Sequence, residues 1–194
     1  EHALSDGQRI TLDKNWTQQM ENVWSCKDAA ILSAGMINHA AQDSAANTDG
    51  IPFSMIRQLI LSMDGAYINL PDSKIFYSEK IAIVPMDFYY PGKGRTGDLP
   101  PRKFIGEEYH GQLLALMPDI DMTILVGKYS MDYYLAGRMK RNLTETEKCY
   151  DEYLPEFFPI VHPSPLNFRW QRRNPWFEKD VVPVLKKSVS SILD

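Results

Sequence analysis

The sequence has 194 residues, 44% of them hydrophobic, which is enough for a sizeable core, and we expect one domain over residues 1–194. The formal net charge of −4 argues against a protein coated with non-specific DNA contacts. Two cysteines, Cys26 and Cys149, are too few for a disulfide framework or an iron–sulfur cluster. No apolar run approaches the roughly 20 residues of a membrane span, and no signal-peptide pattern is present. We therefore expect no membrane partner and a cytoplasmic location.

Charge is distributed unevenly along the chain. From Leu166 onwards there are six basic and three acidic residues, whereas residues 1–165 hold 15 basic and 22 acidic residues. A basic edge on an acidic body suits an enzyme that grips DNA at one face. Charge alone also allows a solvated basic loop.

The first half of the chain predicts two helices and two strands. Amphipathic helices are predicted at about 12–24 and at 53–63. Residues 29–34 predict a short buried strand closed by Gly35, although their alanine content also allows a helix. A clearer strand follows at 79–85.

A long loop is predicted over 86–102, and it contains Gly92-Lys93-Gly94-Arg95-Thr96-Gly97. This run matches a dinucleotide-binding pattern, but that fingerprint needs a helix directly after the glycines, whereas Asp98-Leu99-Pro100-Pro101 follows. We therefore reject a dinucleotide site. The backbone N–H groups of this loop, together with Lys93 and Arg95, can instead contact a DNA phosphate. The alternative is a flexible loop without a binding role.

The second half alternates helices and strands. Helices are predicted at 104–117 and 128–135, on either side of a strand at 122–126. His110, within the first of these helices, is predicted to be a surface or hydrogen-bonded residue and not a ligand.

The last elements of the chain have recognisable boundary signals. The spacing of Thr144 and Glu147 predicts a capping box for a short helix. A last strand is predicted at 157–161, and a final helix at 175–193 should kink or break at Pro183. Strands alternating with helices predict an α/β fold, a three-layer α/β/α domain with a short, mainly parallel four-stranded sheet.

The most informative stretch is His162-Pro163-Ser164-Pro165-Leu166-Asn167, which follows the last apolar run. Two prolines in three residues end the strand in a stiff, extended loop. His162 is therefore expected at the carboxyl edge of the sheet, where open α/β folds bind ligands. Basic and aromatic residues then interleave: Phe168, Arg169, Trp170, Arg172, Arg173 and Trp176.

This stretch resembles motif B of the uracil-DNA glycosylase superfamily. The longer pattern, through Asn174-Pro175-Trp176-Phe177, is similar to a bacterial branch of that superfamily, and the likeness covers most of the chain after about Ala30. It implies a DNA repair enzyme that hydrolyses the N-glycosidic bond of a flipped deaminated base, uracil first. DNA is then the partner, no cofactor or metal is implied, and we expect a monomer.

The resemblance gives the motif B residues their roles. His162 is the catalytic donor near the base O2, Ser164 holds a DNA phosphate, and Leu166 wedges into the gap left by the flipped nucleotide. The other predicted DNA contacts are Asn167, Arg169, Arg172, Arg173, Lys93 and Arg95.

Motif A of the superfamily falls on the end of the first strand, at Gly35-Met36-Ile37-Asn38-His39. The superfamily expects Gln at the second position, Pro at the fourth, and often Asp, Glu or Asn at the third to position the attacking water. Only Gly35 agrees here. Asn38, His39 and Asp43 are the alternative candidates for positioning the water, and each also fits an ordinary loop residue.

The resemblance also implies a base pocket. Phe53, in Gly50-Ile51-Pro52-Phe53, is predicted to stack on the flipped base, with an ordinary core Phe as the alternative. The Asn that binds the uracil edge in well-known relatives has no counterpart, because Pro85, Met86 and Asp87 occupy its region. The predicted substrate-binding residues are Gly35, Met36, Ile37, Asn38, Phe53, Met86 and Asp87.

Two other classes of function remain open. A non-catalytic DNA-binding or damage-recognition module could keep motif B and lose motif A, which the run Met36-Ile37-Asn38 favours and the intact run at 162–167 disfavours. A nucleotide hydrolase using the glycine-rich loop is a weaker alternative.

Overall fold

The computed structural model describes residues 29–35, 80–88, 91–162 and 167–193. Four strands lie within these ranges, and all four were predicted: β1 (Ile31–Gly35), β2 (Ile81–Pro85), β3 (Met122–Val126) and β4 (Phe157–Ile160). The alternative of a helix over the alanine-containing run at 29–34 is therefore wrong. The helices predicted at 12–24 and 53–63 lie outside the described residues.

The four strands form one sheet in the order β2-β1-β3-β4, and every neighbouring pair is parallel. The α/β fold class and the four-stranded, mainly parallel sheet are confirmed. Strands in such a sheet are covered on both faces, which is why β3 is buried at all five positions. The chain passes from β1 to β2 on one side and then crosses to β3 on the other. The direction of winding therefore switches between β1 and β3.

Helical segments follow β2, β3 and β4. The segment α1 comprises Lys103–Ile105, a π-helical turn at Gly106–His110, and Gly111–Ala115. After β3 come α2 (Lys128–Tyr134), α3 (Leu143–Lys148) and a 3₁₀ turn at Tyr150–Tyr153. After β4 come α4 (Phe168–Arg173) and α5, which joins a π-helical turn at Phe177–Val181 to Val182–Leu193.

The helix α4 was not predicted from the sequence. Residues 168–173 follow the predicted loop and were assigned to no helix or strand, but Phe168–Arg173 is helical. Arg and Gln are good helix formers, and a segment this short gives no measurable hydrophobic period.

The capping box predicted at Thr144 is also wrong. The N-cap of α3 is Asn142, whose Oδ1 accepts a hydrogen bond from the Glu145 backbone N–H at 2.9 Å. The Asn142 amide in turn donates to Glu145 Oε1 at 3.0 Å. The Thr144 hydroxyl accepts from the Trp170 indole N–H at 2.8 Å, and so ties α3 to α4.

The last helix was expected to kink or break at Pro183, and it does not break there. Pro183 is the second residue of Val182–Leu193, the α-helical part that follows the π-helical turn. The proline, which lacks a backbone donor, therefore falls where the helix changes from π to α geometry.

The two faces of the sheet pack against different helices, in the alternating pattern of strand side chains. One face packs with α5, through Ile31, Ile81, Met122, Ile124, Phe158 and Ile160 against Phe177, Val181, Leu185 and Val189. The other face packs with α1 and α2, through Leu32, Ala82, Val84, Ala34 and Leu125 against Ile105, Leu113, Met131 and Leu135. Among the described helices, none combines the length and apolar character needed to cross a membrane.

Glu147 is an exception to the apolar interior. Its side chain on α3 is only 2% exposed, and its Oε2 atom has no hydrogen-bond partner among the described residues. Burial raises the pKa of this carboxyl from 4.5 to about 8, because the charged form cannot be solvated. Glu147 is therefore protonated in the folded protein at neutral pH.

The pKa of Glu147 predicts that stability falls as the pH rises. Below about pH 4.5 the carboxyl is protonated in both states, whereas between 4.5 and 8 only the unfolded chain releases the proton. Each pH unit in that window should cost about 1.4 kcal/mol. Glu147→Gln should remove this slope in urea unfolding measured from pH 5 to pH 8. Glu178→Gln, at an exposed position of α5, serves as the control. An unchanged slope in Glu147→Gln would contradict this assignment.

Candidate functional site

The candidate site lies at the carboxyl edge of the sheet, which we define as Gly35, 85–88, Gly127 and 161–162. Gly35 pairs with Pro85 in the register of β1 and β2, so these two strands end side by side. The Gly127 N–H donates to the Ile160 carbonyl at 2.9 Å, so β3 and β4 also end together. Ligands of open α/β sheets bind at the carboxyl ends of strands where the winding switches, here between β1 and β3.

His162 lies two residues after the end of β4, near the strand end where the sequence predicted it, and it is half-buried. Burial lowers the pKa of its imidazole, so the ring is neutral at neutral pH. Among the described residues, no hydrogen bond engages either ring nitrogen. The imidazole can therefore offer an N–H to a ligand at the carboxyl edge without first losing a partner among these residues.

Gly127 creates the space that His162 occupies. A Cβ placed on Gly127 would lie 3.2 Å from the His162 Cβ and 3.8 Å from its Cδ2. The residue also has φ +79°, which side-chain-bearing residues rarely adopt. The Ser130 hydroxyl donates to the Gly127 carbonyl at 3.0 Å and holds this turn at the start of α2. Gly127 thus brings the backbone of β3 against the His162 ring, and sequence analysis did not identify this role.

Asn167 is hydrogen-bonded to the start of the run 162–167. Its side-chain amide donates to the His162 carbonyl at 2.6 Å, so the two ends of the loop are joined. Asn167 was predicted as a DNA contact, and the structure gives its amide this loop-closing bond. Ser164 and Leu166, the predicted phosphate contact and wedge, lie outside the described residues.

The residues after β2 are buried at the same edge. Met86 is 5% exposed and Asp87 is 1% exposed. Asp87 Oδ2 accepts hydrogen bonds from the backbone N–H and from Nε of Arg102, at 2.9 Å each. Asp87 Oδ1 accepts a third bond, from Nη2 of Arg102, at 2.7 Å. Asp87, a predicted substrate contact, thus anchors the far end of the 86–102 loop. Arg102 is a supporting residue that no local pattern in the sequence identifies.

His110 is hydrogen-bonded to the last residue of β2. It is fully buried, so the prediction of a hydrogen-bonded residue is confirmed and that of a surface residue is wrong. Its Nε2 lies 3.1 Å from the Pro85 carbonyl and its Nδ1 lies 2.9 Å from the Tyr134 hydroxyl. A carbonyl only accepts, so Nε2 carries the proton and Tyr134 donates to Nδ1. Burial lowers the pKa of His110 to about 4, which keeps this neutral form.

The glycine-rich loop is a tight turn next to the outer strand β2. Gly94 N–H donates to the Gly97 carbonyl at 2.7 Å, and Leu99 N–H donates to the Gly92 carbonyl at 2.8 Å. Lys93 and Arg95 are exposed on this turn and are available to a phosphate. The helix that a dinucleotide site requires does not follow, since residues 98–102 are not helical.

The basic residues after motif B lie at the other end of the sheet, on α4 after β4. Arg169, Arg172 and Arg173 are all exposed. The half-buried side of α4 packs through Trp170. The Trp170 ring contacts the rings of Trp176 and Phe177 edge to face, with centroid distances of 5.8 and 5.4 Å. The exposed basic residues therefore belong to two segments, the glycine-rich loop after β2 and the helix α4 after β4, and these two strands form the two outer edges of the sheet.

The base-pocket predictions are described only in part. Gly35 ends β1 at the carboxyl edge, as predicted. Met36, Ile37, Asn38, His39, Asp43 and Phe53 all lie outside the described residues. Within the described ranges, His, Cys, Asp and Glu side chains do not gather in groups of three or more that could hold a metal ion.

The first half of the chain is similar to a known protein family. The family described as a domain of unknown function, DUF7955, matches residues 1–96 of the chain, just under half of its length. The matched part takes in β1, β2 and most of the glycine-rich loop, and it ends before β3 and His162. The chain is thus similar to this family over the strands that carry Gly35 and Pro85.

Proposed function

We propose that the protein is a DNA glycosylase that hydrolyses the N-glycosidic bond of a flipped, deaminated base, with uracil as the first substrate. The observation that carries the proposal is the position of His162 in the run 162–167. Its ring is half-buried and neutral, and it packs on Gly127 beside the point where the winding of the sheet switches. This is where a base taken out of the DNA stack could reach a fixed donor.

The chemistry requires stabilisation of the departing base. As the bond between the base nitrogen and the sugar carbon breaks, the base leaves with the electron pair and the sugar becomes positive. Water then adds its oxygen to the sugar carbon. One of its protons stays on the new hydroxyl group, and the other neutralises the departing base, directly or through solvent. A neutral imidazole N–H aimed at the base O2 stabilises the developing negative charge, and one such donor lowers the barrier by about 3–4 kcal/mol. The support of His162 by Gly127 and Asn167 keeps this donor in place.

The proposal includes the three-layer architecture of a glycosylase-like domain. The packing of α5 on one face of the sheet, and of α1 and α2 on the other, supports it. The water-positioning residue belongs to the proposed motif A after Gly35, where Asn38 remains the first candidate. The exposed cations of the glycine-rich loop and of α4 support DNA as the partner.

The second candidate is a non-catalytic module that recognises damaged DNA. It is favoured by Met36-Ile37-Asn38, which departs from the motif A pattern. Incubation with a uracil-containing single-stranded oligonucleotide separates the two. Free uracil and an abasic site are the result expected of a glycosylase. Binding of the oligonucleotide without release of uracil would instead support the non-catalytic module.

The exposed arginines of α4 predict a salt-dependent contribution to DNA binding. Arg169, Arg172 and Arg173 are expected to contact backbone phosphates, so neutralising each one that does so should weaken binding to all sequences. Each such change should lower the slope of log K against log salt by about one unit. The measurement is oligonucleotide affinity as a function of salt for Arg→Gln variants.

A matched control for this prediction lies at the opposite edge of the sheet. Arg138 is exposed and pairs with Glu156, which directly precedes β4. Arg138→Gln removes the same charge and should leave the salt slope unchanged. If a variant with all three α4 arginines neutralised keeps its affinity and slope, DNA binds elsewhere.

A further inference from the structure

The side chain of Phe168 is unusually exposed for its type. It is 48% exposed, and among the described residues Leu99 is the other large hydrophobic side chain of this kind. A single exposed apolar residue is ordinary on a protein surface. Phe168 differs because of the residues that share its side of α4.

Helical geometry places Phe168 among the arginines. Successive residues of an α-helix are rotated by about 100°. The inward direction of α4 is marked by Trp170, which is half-buried, and Gln171, which is 7% exposed. On the side of the helix opposite to these two residues lie Phe168, Arg169, Arg172 and Arg173. The outward half of α4 therefore presents one aromatic ring and three cations, and no acidic residue.

The ring is also held on a fixed support. The Trp170 indole donates to Thr144 on α3, and the Asn174 amide donates to the Trp170 carbonyl at 2.8 Å. On the other side, Asn167 directly precedes Phe168 and is tied to the His162 carbonyl. Phe168 is thus displayed close to His162 by a helix anchored at both ends, so little side-chain and backbone order needs to be gained on binding.

We propose that Phe168 is a stacking surface for an unpaired nucleotide base that flanks the flipped nucleotide, with the adjacent phosphates held by Arg169 and Arg172. This inference rests on the proposed function, since it takes DNA as the partner. A flat apolar ring beside cations matches a strand that combines base faces with a charged backbone. On a helix, Phe168 and Arg172 are neighbours at spacing i, i+4, close enough to engage one nucleotide unit.

The stacking contact makes the protein favour strands that are unpaired beside the lesion. In a duplex the flanking base is already stacked and paired, so it must be released before it can meet Phe168. Single-stranded or mismatched DNA does not carry that cost. The ring therefore acts as a specificity element for the state of the strand, separate from any donor to the base itself.

The test is equilibrium binding of a fluorescein-labelled single-stranded oligonucleotide that contains uracil. Phe168→Ala should weaken binding about fivefold or more, the scale of one base–aromatic stack. Because no charge is removed, the salt slope should stay as in the wild type, whereas Arg169→Gln should lower it by about one unit. Phe168→Trp should retain full affinity, and Phe168→Leu, which keeps an apolar side chain without the ring, should not.

Four outcomes would overturn the proposal. These are unchanged affinity of Phe168→Ala, wild-type affinity of Phe168→Leu, a lowered salt slope in Phe168→Ala, and binding of wild-type protein to anionic lipid vesicles but not to the oligonucleotide. Uracil release is not the readout. A protein that binds through Phe168 but releases no uracil would contradict the glycosylase proposal and leave this inference standing.

Discussion

Replacing His162 with alanine is expected to slow the single-turnover release of uracil about a hundredfold, the scale of losing one fixed donor to a developing anion. The neutral ring packs on Gly127 at the carboxyl edge, so its N–H is oriented before the substrate arrives. The lost donor acts in the transition state, and the affinity for the oligonucleotide should therefore change little.

A second substitution separates this chemical role from a structural one. His162→Gln keeps an amide N–H near the same place and should lose less activity than His162→Ala. Both variants should unfold at a similar urea concentration, since His162 is only half-buried. Unchanged single-turnover rates in His162→Ala would remove this residue from the mechanism.

Replacing Arg102 with methionine is expected to destabilise the protein by about 3–5 kcal/mol, because it removes the guanidinium that pairs with a buried carboxylate. The Asp87 side chain is 2% exposed and that of Arg102 is 18% exposed. The backbone N–H of Arg102 donates to the same carboxylate, so the loop end itself depends on Asp87. Urea unfolding of the variant and the wild type measures the difference.

The double variant with Asp87→Leu and Arg102→Met is the control for that cost. Removing both charged groups should recover much of the stability, because the buried carboxylate is then removed together with its guanidinium. The recovery would identify electrostatic desolvation as the cause of the loss in Arg102→Met. A loss below about 1 kcal/mol in the single variant would show that the pair behaves like an exposed one.

The sequence predicted the sheet well because its strands are short apolar runs with clear ends. Residues 122–126 form β3 with the predicted bounds, since Gly127 ends a run that is buried on both faces. His162 was placed at a strand end because two prolines stop β4 there. These are local signals, and local signals are what one sequence carries.

The features that were predicted wrongly or not predicted depend on contacts between distant residues. Thr144 has the spacing of a cap, yet its hydroxyl is used by Trp170 while Asn142 caps the helix. Asp87 and Arg102 are 15 residues apart with three prolines between them, and no pattern links them. Likewise, the contact between Gly127 and His162 follows from the order of the strands, which their periodicity does not determine.

The most direct test of the proposed glycosylase function is a crystal structure with single-stranded DNA that carries a non-hydrolysable deoxyuridine analogue. The uracil ring is expected at the carboxyl edge between Gly35 and Gly127, with its O2 within hydrogen-bonding distance, about 3 Å, of a His162 ring nitrogen. A uracil ring bound away from this edge, or one at the edge with its O2 out of reach of His162, would contradict it.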